Sequence, residues 1–428
     1  MQLSSSRQIL ALLGISTLFL FEYFTLNMLN VIEPLLAQEF NSNNAAMGWL
    51  GSAYFYAMVI LLIPAGYIID KYDLKKVIVL SAVSGVIGTF LLSIAQSYTH
   101  LIVSRMIVGI CLGPFALVSC IKYISRISPK DKVGVYVSII LIIGILGGAL
   151  SQNTFSALIN NIGWRNALMV IGLCGVVITI ILWLTTYIFR VSAPCEKNKD
   201  ASFIIAINNF MFKSHRSMNI KIGIIASVLN LPAFILGALF GVTFLEQVYG
   251  FSELISSSVT VNLFWGMLLG CISFGMLSAR GYKETNLLTI GMILASISLS
   301  LLIFIQTHNI LLVKIIFFTI GLGAGSHVVS FSLIQKISDY RELGLAEGFH
   351  SASIFLGGAI AQPMFGKILD QVSNHMFMAS ISATANAKLP YQFGLLLLTV
   401  LLLLGLYCNK APQRTKGSAL NDVAAKTG

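Results

Sequence analysis

Long apolar runs separated by short polar breaks are the main pattern along the chain. A helix that crosses a hydrocarbon core of about 30 Å needs about 20 residues, and about twelve apolar runs of that length follow one another. The pattern predicts an all-α membrane protein with twelve transmembrane helices. The predicted helices lie near residues 9–37, 45–69, 77–97, 100–123, 133–154, 166–189, 219–245, 254–278, 286–306, 309–333, 346–369 and 391–408.

The second six predicted helices repeat features of the first six. The segment Gly-Gly-Ala-Leu-Ser-Gln at 147–152 matches Gly-Gly-Ala-Ile-Ala-Gln at 357–362, and Arg105 matches Lys314 in nearly the same register. We therefore predict two pseudo-symmetric six-helix halves, related by an axis along the membrane normal. The predicted domains are an N-terminal half at 1–189, a cytoplasmic central loop at 190–218 and a C-terminal half at 219–428. The short apolar stretch at 203–212 is predicted to lie on the membrane surface.

Composition agrees with a chain surrounded by lipid. The sequence is 57% hydrophobic and 10% charged, whereas soluble domains are about 25% charged. The net charge of +11 does not indicate nucleic acid, because the basic residues lie between apolar runs and not together on one solvated face. The six cysteines have no Cys-x-x-Cys spacing, so neither a metal site nor a disulfide framework is indicated. No cofactor is expected.

The distribution of lysine and arginine predicts the orientation. Cytoplasmic loops retain these residues, and with the N-terminus inside, all but five of the 27 fall on the inner side. The exceptions are Arg105, Arg165, Lys314, Lys367 and Lys388. We expect a multi-pass protein of the bacterial inner membrane, a monomer with both termini in the cytoplasm. The first apolar run continues past Pro34 without a cleavage site, so it is interpreted as a helix and not as a signal peptide.

Three motifs resemble signatures of the Major Facilitator Superfamily, and the resemblance covers essentially the whole chain. The segment Gly-Tyr-Ile-Ile-Asp-Lys-Tyr-Asp-Leu-Lys-Lys at 66–76 is similar to the family loop G-x-L-a-D-r-x-G-r-[RK], with Asp73 and Leu74 in place of Gly and Arg. Arg105 with Gly109 and the Gly-Pro pair at 113–114 is similar to a second signature, and Gly-Trp-Arg at 163–165 to a third.

The resemblance implies a secondary transporter that works by alternating access and is not an enzyme. It assigns gating at the inner membrane edge to Asp70, Lys71 and Lys75, although simple positive-inside anchoring also explains the lysines. The family's antiporter signature is incomplete in the fifth helix, which favours uptake. The first helix, around residues 21–30, is similar to phagosomal nutrient and siderophore transporters of intracellular bacteria.

Three ionisable residues are candidates for proton coupling. Glu22 lies near mid-membrane, where a carboxylate is costly unless it is paired, hydrated or protonated. It is predicted to carry the proton, with a structural hydrogen bond as the alternative. Arg105 is either its partner or a residue that binds backbone carbonyls or snorkels outward. His327 is the third candidate, because histidine titrates near physiological pH.

Polar and aromatic residues at mid-helix depth are candidates for binding substrate. Many such residues instead make ordinary interhelical hydrogen bonds or aromatic packing contacts. Lys314 is shorter than its counterpart Arg105 and more easily deprotonated when buried, and it is expected to snorkel outward. Asn230 and Pro232 interrupt the seventh helix, and broken helices often line binding sites. The candidates are Asn27, Asn30, Tyr54, Gln152, Asn230, Trp265, Lys314 and Gln362.

The expected function is proton-coupled transport of a small polar metabolite, such as an amino acid, a nucleoside or a carboxylate-bearing chelator, with uptake favoured. An exporter of a siderophore or an amphiphilic drug is the alternative in the same class. A receptor or regulator without transport activity is the alternative in another class. The pattern of a phosphate-binding loop, G-x-x-x-x-G-K-[ST], does not occur, which argues against transport driven by ATP.

Overall fold

The computed structural model describes residues 5–127, 133–189, 216–305, 307–338, 343–378 and 383–410, and these residues form helices and turns with no strand. The predicted all-α fold is therefore confirmed. The helices are α1 (Ser5–Asn27), α2 (Leu29–Glu39), α3 (Asn44–Lys71), α4 (Leu74–Ser93), α5 (Tyr98–Cys111), α6 (Gly113–Ile127), α7 (Val133–Ile162), α8 (Trp164–Ile188), α9 (Arg216–Pro232), α10 (Gly241–Tyr249), α11 (Glu253–Ala279), α12 (Glu284–Phe304), α13 (Ile310–Gly325), α14 (Val328–Ile337), α15 (Leu343–Met378) and α16 (Ala383–Lys410).

Twelve segments of the described chain are long and apolar enough to cross a membrane, as predicted. Six precede the central loop and six follow it, and the central loop with the predicted surface stretch at 203–212 lies outside the described residues. The spans, numbered first to twelfth, are Ile9–Glu39, Asn44–Leu62, Leu74–Ser93, Tyr98–Ile124, Ile139–Ile162, Trp164–Ile188, Met218–Gly237, Glu253–Ala279, Glu284–Phe304, Ile310–Ile337, Ala346–His375 and Lys388–Asn409.

Four spans are broken in the described chain, and each break has a local cause. The first span changes helix at Met28, next to Asn27, whose amide binds the carbonyl of Tyr23. In the fourth span the break precedes Gly113 and Pro114. The seventh passes through a π-helical turn at Ala233–Gly237, directly after Pro232, which lacks the N–H needed for a regular helix.

The tenth span completes this set with a break at Ser326 and His327, after a glycine-rich turn. The broken spans are therefore the first, fourth, seventh and tenth, which is every third helix. The predicted interruption of the seventh helix is confirmed. The regularly spaced breaks place irregular backbone inside the bundle, where other protein groups can form hydrogen bonds with its free N–H and C=O groups.

The repeated glycine segments pack in equivalent ways. Gly147 in the fifth span lies against the backbone of Leu20 in the first span, and Gly357 in the eleventh lies against Ser227 in the seventh. The first and fifth spans thus correspond to the seventh and eleventh, as the sequence repeat predicts. The fold therefore has two similar six-helix halves.

The halves meet along two pairs of spans, the second with the eleventh and the fifth with the eighth. Gly48 on the second span allows a close approach there, because a Cβ would meet the backbone of Gln362 and Pro363. The sixth and twelfth spans are the least buried, and their exposed apolar side chains, such as Leu173 and Leu403, are suited to contact with lipid. The second, fifth, eighth and eleventh spans therefore carry residues that contact the other half.

Candidate functional site

Glu22 lies near the middle of the first span and has no exposed surface. Its Oε1 accepts a hydrogen bond of 2.6 Å from the Tyr54 hydroxyl of the second span, while its Oε2 has no hydrogen-bond partner. An ionised carboxylate offers about four acceptor positions, so a single bond satisfies it poorly. The site therefore suits a carboxyl group that is neutral in this conformation.

Arg105 of the fourth span lies beside this pair but forms no ion pair with Glu22. Its Nη1 donates to the carbonyl of Thr25 at 2.8 Å, and Nη2 donates to that of Leu26 at 3.4 Å. Its guanidinium lies 5.0 Å from the centre of the Tyr54 ring, within range of a cation–π interaction. Of the two interpretations of Arg105, the geometry matches the one in which it binds backbone carbonyls, here just before the break of the first span.

These contacts join Glu22, Tyr54 and Arg105 into one group, which we call the carboxyl cluster. All three side chains are buried, and they come from the first, second and fourth spans. Tyr54 was predicted to bind substrate, but here it connects the carboxylate to the guanidinium. A change in the protonation of Glu22 can therefore act on the backbone at the break of the first span.

A second buried carboxylate, Glu33, is present in the same span but nearer the other end. It is 1% exposed and hydrogen-bonded to the Thr243 hydroxyl of α10 in the other half. Glu33 is not among the residues predicted from the sequence, because it lies close to the predicted end of its helix. The observed span continues to Glu39, which places Glu33 about 9 Å inside at 1.5 Å per residue.

Amide side chains join the breaks of the first and seventh spans. Asn30 donates to Gln152 Oε1 at 2.8 Å, and its own Oδ1 accepts from the backbone N–H groups of Gly241 and Val242 at 2.8 and 3.2 Å. Gln152 Nε2 donates to the carbonyl of Asn27 at 3.1 Å. These predicted substrate residues are thus brought together, and in this conformation they bind each other and the backbone of the broken helices.

Gln362, the counterpart of Gln152, binds the π-helical turn of the seventh span from the second half. Its Nε2 donates to the carbonyl of Phe234 at 2.9 Å, and its buried Oε1 has no partner. Beside it, Phe55 of the first half packs on Phe234 and Phe355, with ring centres 5.0 and 6.1 Å apart. We call Asn30, Gln152 and Gln362 together the amide group. The two halves are in apolar contact beside it.

The remaining predicted substrate residues are not brought into this group. Asn230 is buried, but its amide binds the carbonyl of Ala226 on its own helix at 2.9 Å. Trp265 is 43% exposed, and the neighbouring Phe264 is the side chain that packs on Gly148 across the halves. Lys314 is half-buried, between the buried Val313 and the exposed Ile315, a position from which a lysine can snorkel outward.

His327 is buried in the second half, away from the carboxyl cluster. Its Nδ1 lies 3.0 Å from the carbonyl of Ala324. The hydroxyl of Ser330 donates to the His327 carbonyl at 2.5 Å and lies 2.8 Å from Nε2 of His350. His350, which sequence reasoning missed, is also fully buried. These residues form a separate polar group in the core of the second half.

The predicted gating motif lies at the far end of the second span. The side chain of Asp70 is outside the described residues. Lys71 ends α3, and Lys75 Nζ lies 4.8 Å from the ring centre of Tyr187 in the sixth span. Asp73 accepts a bond from the backbone N–H of Lys75 at 3.1 Å and so caps α4, which a glycine side chain could not do.

The opposite end of the bundle is closed by hydrogen bonds between the halves. We call this end outer, after the predicted orientation. In addition to Glu33 with Thr243 and Asn30 with Gly241, Ser156 of the fifth span donates to Glu253 of the eighth at 3.1 Å. Asp370 of the eleventh span binds the first turn of the second. We refer to these contacts together as the outer closure.

The comparison with known families identifies the class of this protein. The model of the Major Facilitator Superfamily matches residues 15–362, which include the carboxyl cluster, the amide group and both repeated glycine segments. The chain belongs to the Major Facilitator Superfamily. The family consists of transporters and not of enzymes.

Individual relatives are more distant and match only parts of the chain. The galactose-proton symporter of Escherichia coli K12 is 29% identical over 29% of this chain and 27% of its own length. The tetracenomycin C resistance and export protein of Streptomyces glaucescens is 20% identical over 79% of this chain and 72% of its own length. For the first curated relatives that it matches, the chain spans only 16% to 37% of their length.

A solved structure with the same fold is a bacterial homologue of the human lysosomal transporter Spinster, in an inward-facing and unoccupied conformation. It superposes with a TM-score of 0.74 at 16% identity, covering 95% of this chain and 97% of that one. At this identity the likeness concerns the fold.

Proposed function

We propose that the chain is a proton-coupled secondary transporter that moves a small polar metabolite across the bacterial inner membrane, by alternating access and in the direction of uptake. The observation that carries this proposal is the carboxyl cluster, in which Glu22 is fully buried with one carboxylate oxygen unpartnered. The proposed roles are Glu22 as the proton carrier and Arg105 as the group that links it to the backbone of the first span.

The electrostatics of burial support proton coupling. Removing an isolated carboxylate from water costs several kcal/mol, so the group is neutral in an apolar site. Arg105 forms no ion pair with Glu22: one donor on each Nη binds the carbonyl of Thr25 or Leu26, and its Nε has no hydrogen-bond partner. When the conformation changes and water reaches Glu22, release of the proton becomes favourable. The carboxyl group can therefore take up a proton in one conformation and lose it in the other.

The closed outer end supports alternating access. Two halves that meet through polar contacts at one end can separate there and close at the other, which is the usual motion of two-half transporters. The amide group of Asn30, Gln152 and Gln362 lies at the breaks of the first and seventh spans. In the proposed cycle these side chains exchange their mutual hydrogen bonds for bonds to a polar solute.

Two features support uptake. The incomplete antiporter signature of the fifth span has glycines but no proline, and a symporter is among the relatives. The exporter remains the second candidate, because the tetracenomycin exporter matches a larger share of the chain. The buried Glu22 argues against a receptor without transport activity, since an intramembrane carboxylate usually marks an ion pathway.

The first experiment identifies the solute and then measures coupling. A deletion strain is screened for growth on single nutrients and iron chelators, and the purified protein is reconstituted in vesicles with the solute found. The proposal predicts accumulation inside vesicles when the outside is made acidic, together with alkalinisation of the outer medium. Equilibration without accumulation at any pH gradient would contradict proton coupling, and accumulation only with the opposite gradient would favour export.

The proposed orientation has both termini and the central loop in the cytoplasm. Fusions to a reporter that is active only in the cytoplasm should be active at the C-terminus and after Lys197. A phosphatase that is active outside should be inactive at the same positions. An active external phosphatase after Lys197 would contradict the proposed topology.

A further inference from the structure

Asp370, near the end of the eleventh span, binds the beginning of the second span in the other half. Its Oδ1 accepts from the backbone N–H of Asn44 at 3.1 Å and from the Asn44 side-chain amide at 2.8 Å, and its Oδ2 accepts from the N–H of Ala45 at 2.8 Å. The first N–H groups of a helix have no partner within that helix, and a negative charge is favourable at this position.

The second span cannot complete this cap by itself. Its own N-cap residue, Asn43, accepts only from the N–H of Ala46. The N–H groups of Asn44 and Ala45 receive their acceptors from Asp370. Hydrogen bonds with a charged partner are about twice as strong as neutral ones, so the cap joins the two halves more firmly than the neutral amide contacts do.

The backbone around Asp370 is shaped for this contact. Gly366, one turn earlier on the same helix, lies against the backbone of Asn44 and Ala45, where a Cβ would collide. Gly48 on the second span makes the reciprocal approach to Gln362 and Pro363. The carboxylate therefore reaches the helix end only when the second and eleventh spans are packed together at their outer ends.

We propose that Asp370 is the latch of the outer closure, holding the halves together by capping a helix that belongs to the other half. The proposal rests on the alternating access of the proposed function, in which the outer ends must separate. Separation removes three hydrogen bonds and returns the carboxylate and the N–H groups to water. Loss of the carboxylate therefore shifts the equilibrium toward the conformation that is open at the outer end.

The test measures opening without any knowledge of the solute. Ser52 has no exposed surface and follows Gly51, which lies against Gln362 of the eleventh span. A cysteine at this position therefore becomes accessible when the second and eleventh spans separate. The Ser52→Cys chain is labelled in vesicles with a membrane-impermeant maleimide, added to each side in turn. The same chain without Ser52→Cys gives the background of the native cysteines, among which Cys174 and Cys408 are exposed.

In the Ser52→Cys chain, Asp370→Ala is expected to raise the labelling rate from the outer side about tenfold. This corresponds to a shift of about 1.4 kcal/mol in the equilibrium between the closed and open outer end. Asp370→Asn should give a smaller rise, because it keeps one acceptor oxygen. The matched control is Asn309→Ala, which removes an outer N-cap that accepts from Leu311 and Leu312 within the second half. This control should leave the rate unchanged.

Two results would overturn the latch. One is an unchanged labelling rate in Asp370→Ala and Asp370→Asn, with both variants monodisperse after extraction from the membrane. The other is an equal rise in Asn309→Ala, which would indicate general loosening of helix ends. Labelling needs neither solute nor a proton gradient, so this test still decides on the latch if the proposed proton coupling is wrong. If the latch is wrong, the coupling assay can still be interpreted.

Discussion

The two halves share packing and register, yet their buried polar groups differ in kind. In the first half, Arg105 is 1% exposed and bound to the first span. Its counterpart Lys314 is half-buried, between the buried Val313 and the exposed Ile315. The position of the second half that matches Glu22 is occupied by Leu231 or Pro232, and the buried polar groups of that half include His327, Ser330 and His350.

We propose that this difference divides two tasks between the halves of one repeated scaffold. The first half contains a buried carboxylate and guanidinium, both attached to the first span. In the second half, Pro232 produces the π-helical turn at the corresponding height, and Gln362 binds a carbonyl of that turn. Coupling is therefore proposed for the first half, whereas the second half contributes the irregular backbone at the break of the seventh span.

The largest effect is expected from Arg105→Ala. The substitution removes hydrogen bonds from a charged group to Thr25 and Leu26, each worth about 1.5 to 3 kcal/mol. We expect a loss of about 3 kcal/mol in stability and at least tenfold slower transport, measured by thermal unfolding in detergent and by uptake in vesicles. The matched control, Lys314→Ala, should change both by little. Comparable losses in the two variants would contradict the asymmetry between the halves.

Tyr54→Phe is expected to have an intermediate effect. It removes the one hydroxyl that binds Glu22 without changing the ring that faces Arg105. Leaving a buried acceptor unpaired costs about 1 to 3 kcal/mol, so initial uptake should slow by roughly tenfold at unchanged protein level. Tyr56→Phe is the control, because that ring stacks on Trp49 on another face of the helix. An equal slowing in Tyr56→Phe would show that uptake does not depend specifically on the hydroxyl of Tyr54.

The smallest effect is expected from His327→Gln. The imidazole binds the carbonyl of Ala324 on its own span, and glutamine can also donate to that acceptor. The number of protons moved per solute should stay the same, and the uptake rate should fall by less than about threefold. Simultaneous flux of solute and protons measures this ratio. A lower ratio would place coupling in the second half as well.

Much of the fold follows from patterns that are visible in the sequence. Apolar runs of about 20 residues define the spans because the thickness of the bilayer sets their length. Pro232 and the pair at 113–114 indicate breaks, because proline cannot donate the required hydrogen bond. Glu22 and Arg105 stand out because charged residues in the membrane interior are rare without a function.

The partners of these residues could not be predicted in the same way. Tyr54 resembles an ordinary packing aromatic until the second span is placed beside the first. Glu33 and Asp370 lie near helix ends, where a carboxylate is usually solvated, and only contact between the halves gives them partners. Such contacts depend on tertiary packing and on the conformation, neither of which has a local signal along the chain.

The most direct test of the account is Glu22→Gln in reconstituted vesicles, with Glu33→Gln as the matched control. Exchange of solute between equal pools needs no net movement of protons, whereas accumulation against a gradient does. The account predicts that Glu22→Gln keeps exchange near the wild-type rate and loses accumulation driven by a pH gradient. Glu33→Gln keeps both, because its amide oxygen can still accept from Thr243 and preserve that contact of the outer closure. Full accumulation by a well-folded Glu22→Gln protein would contradict the account, and loss of both activities would assign Glu22 to solute binding instead.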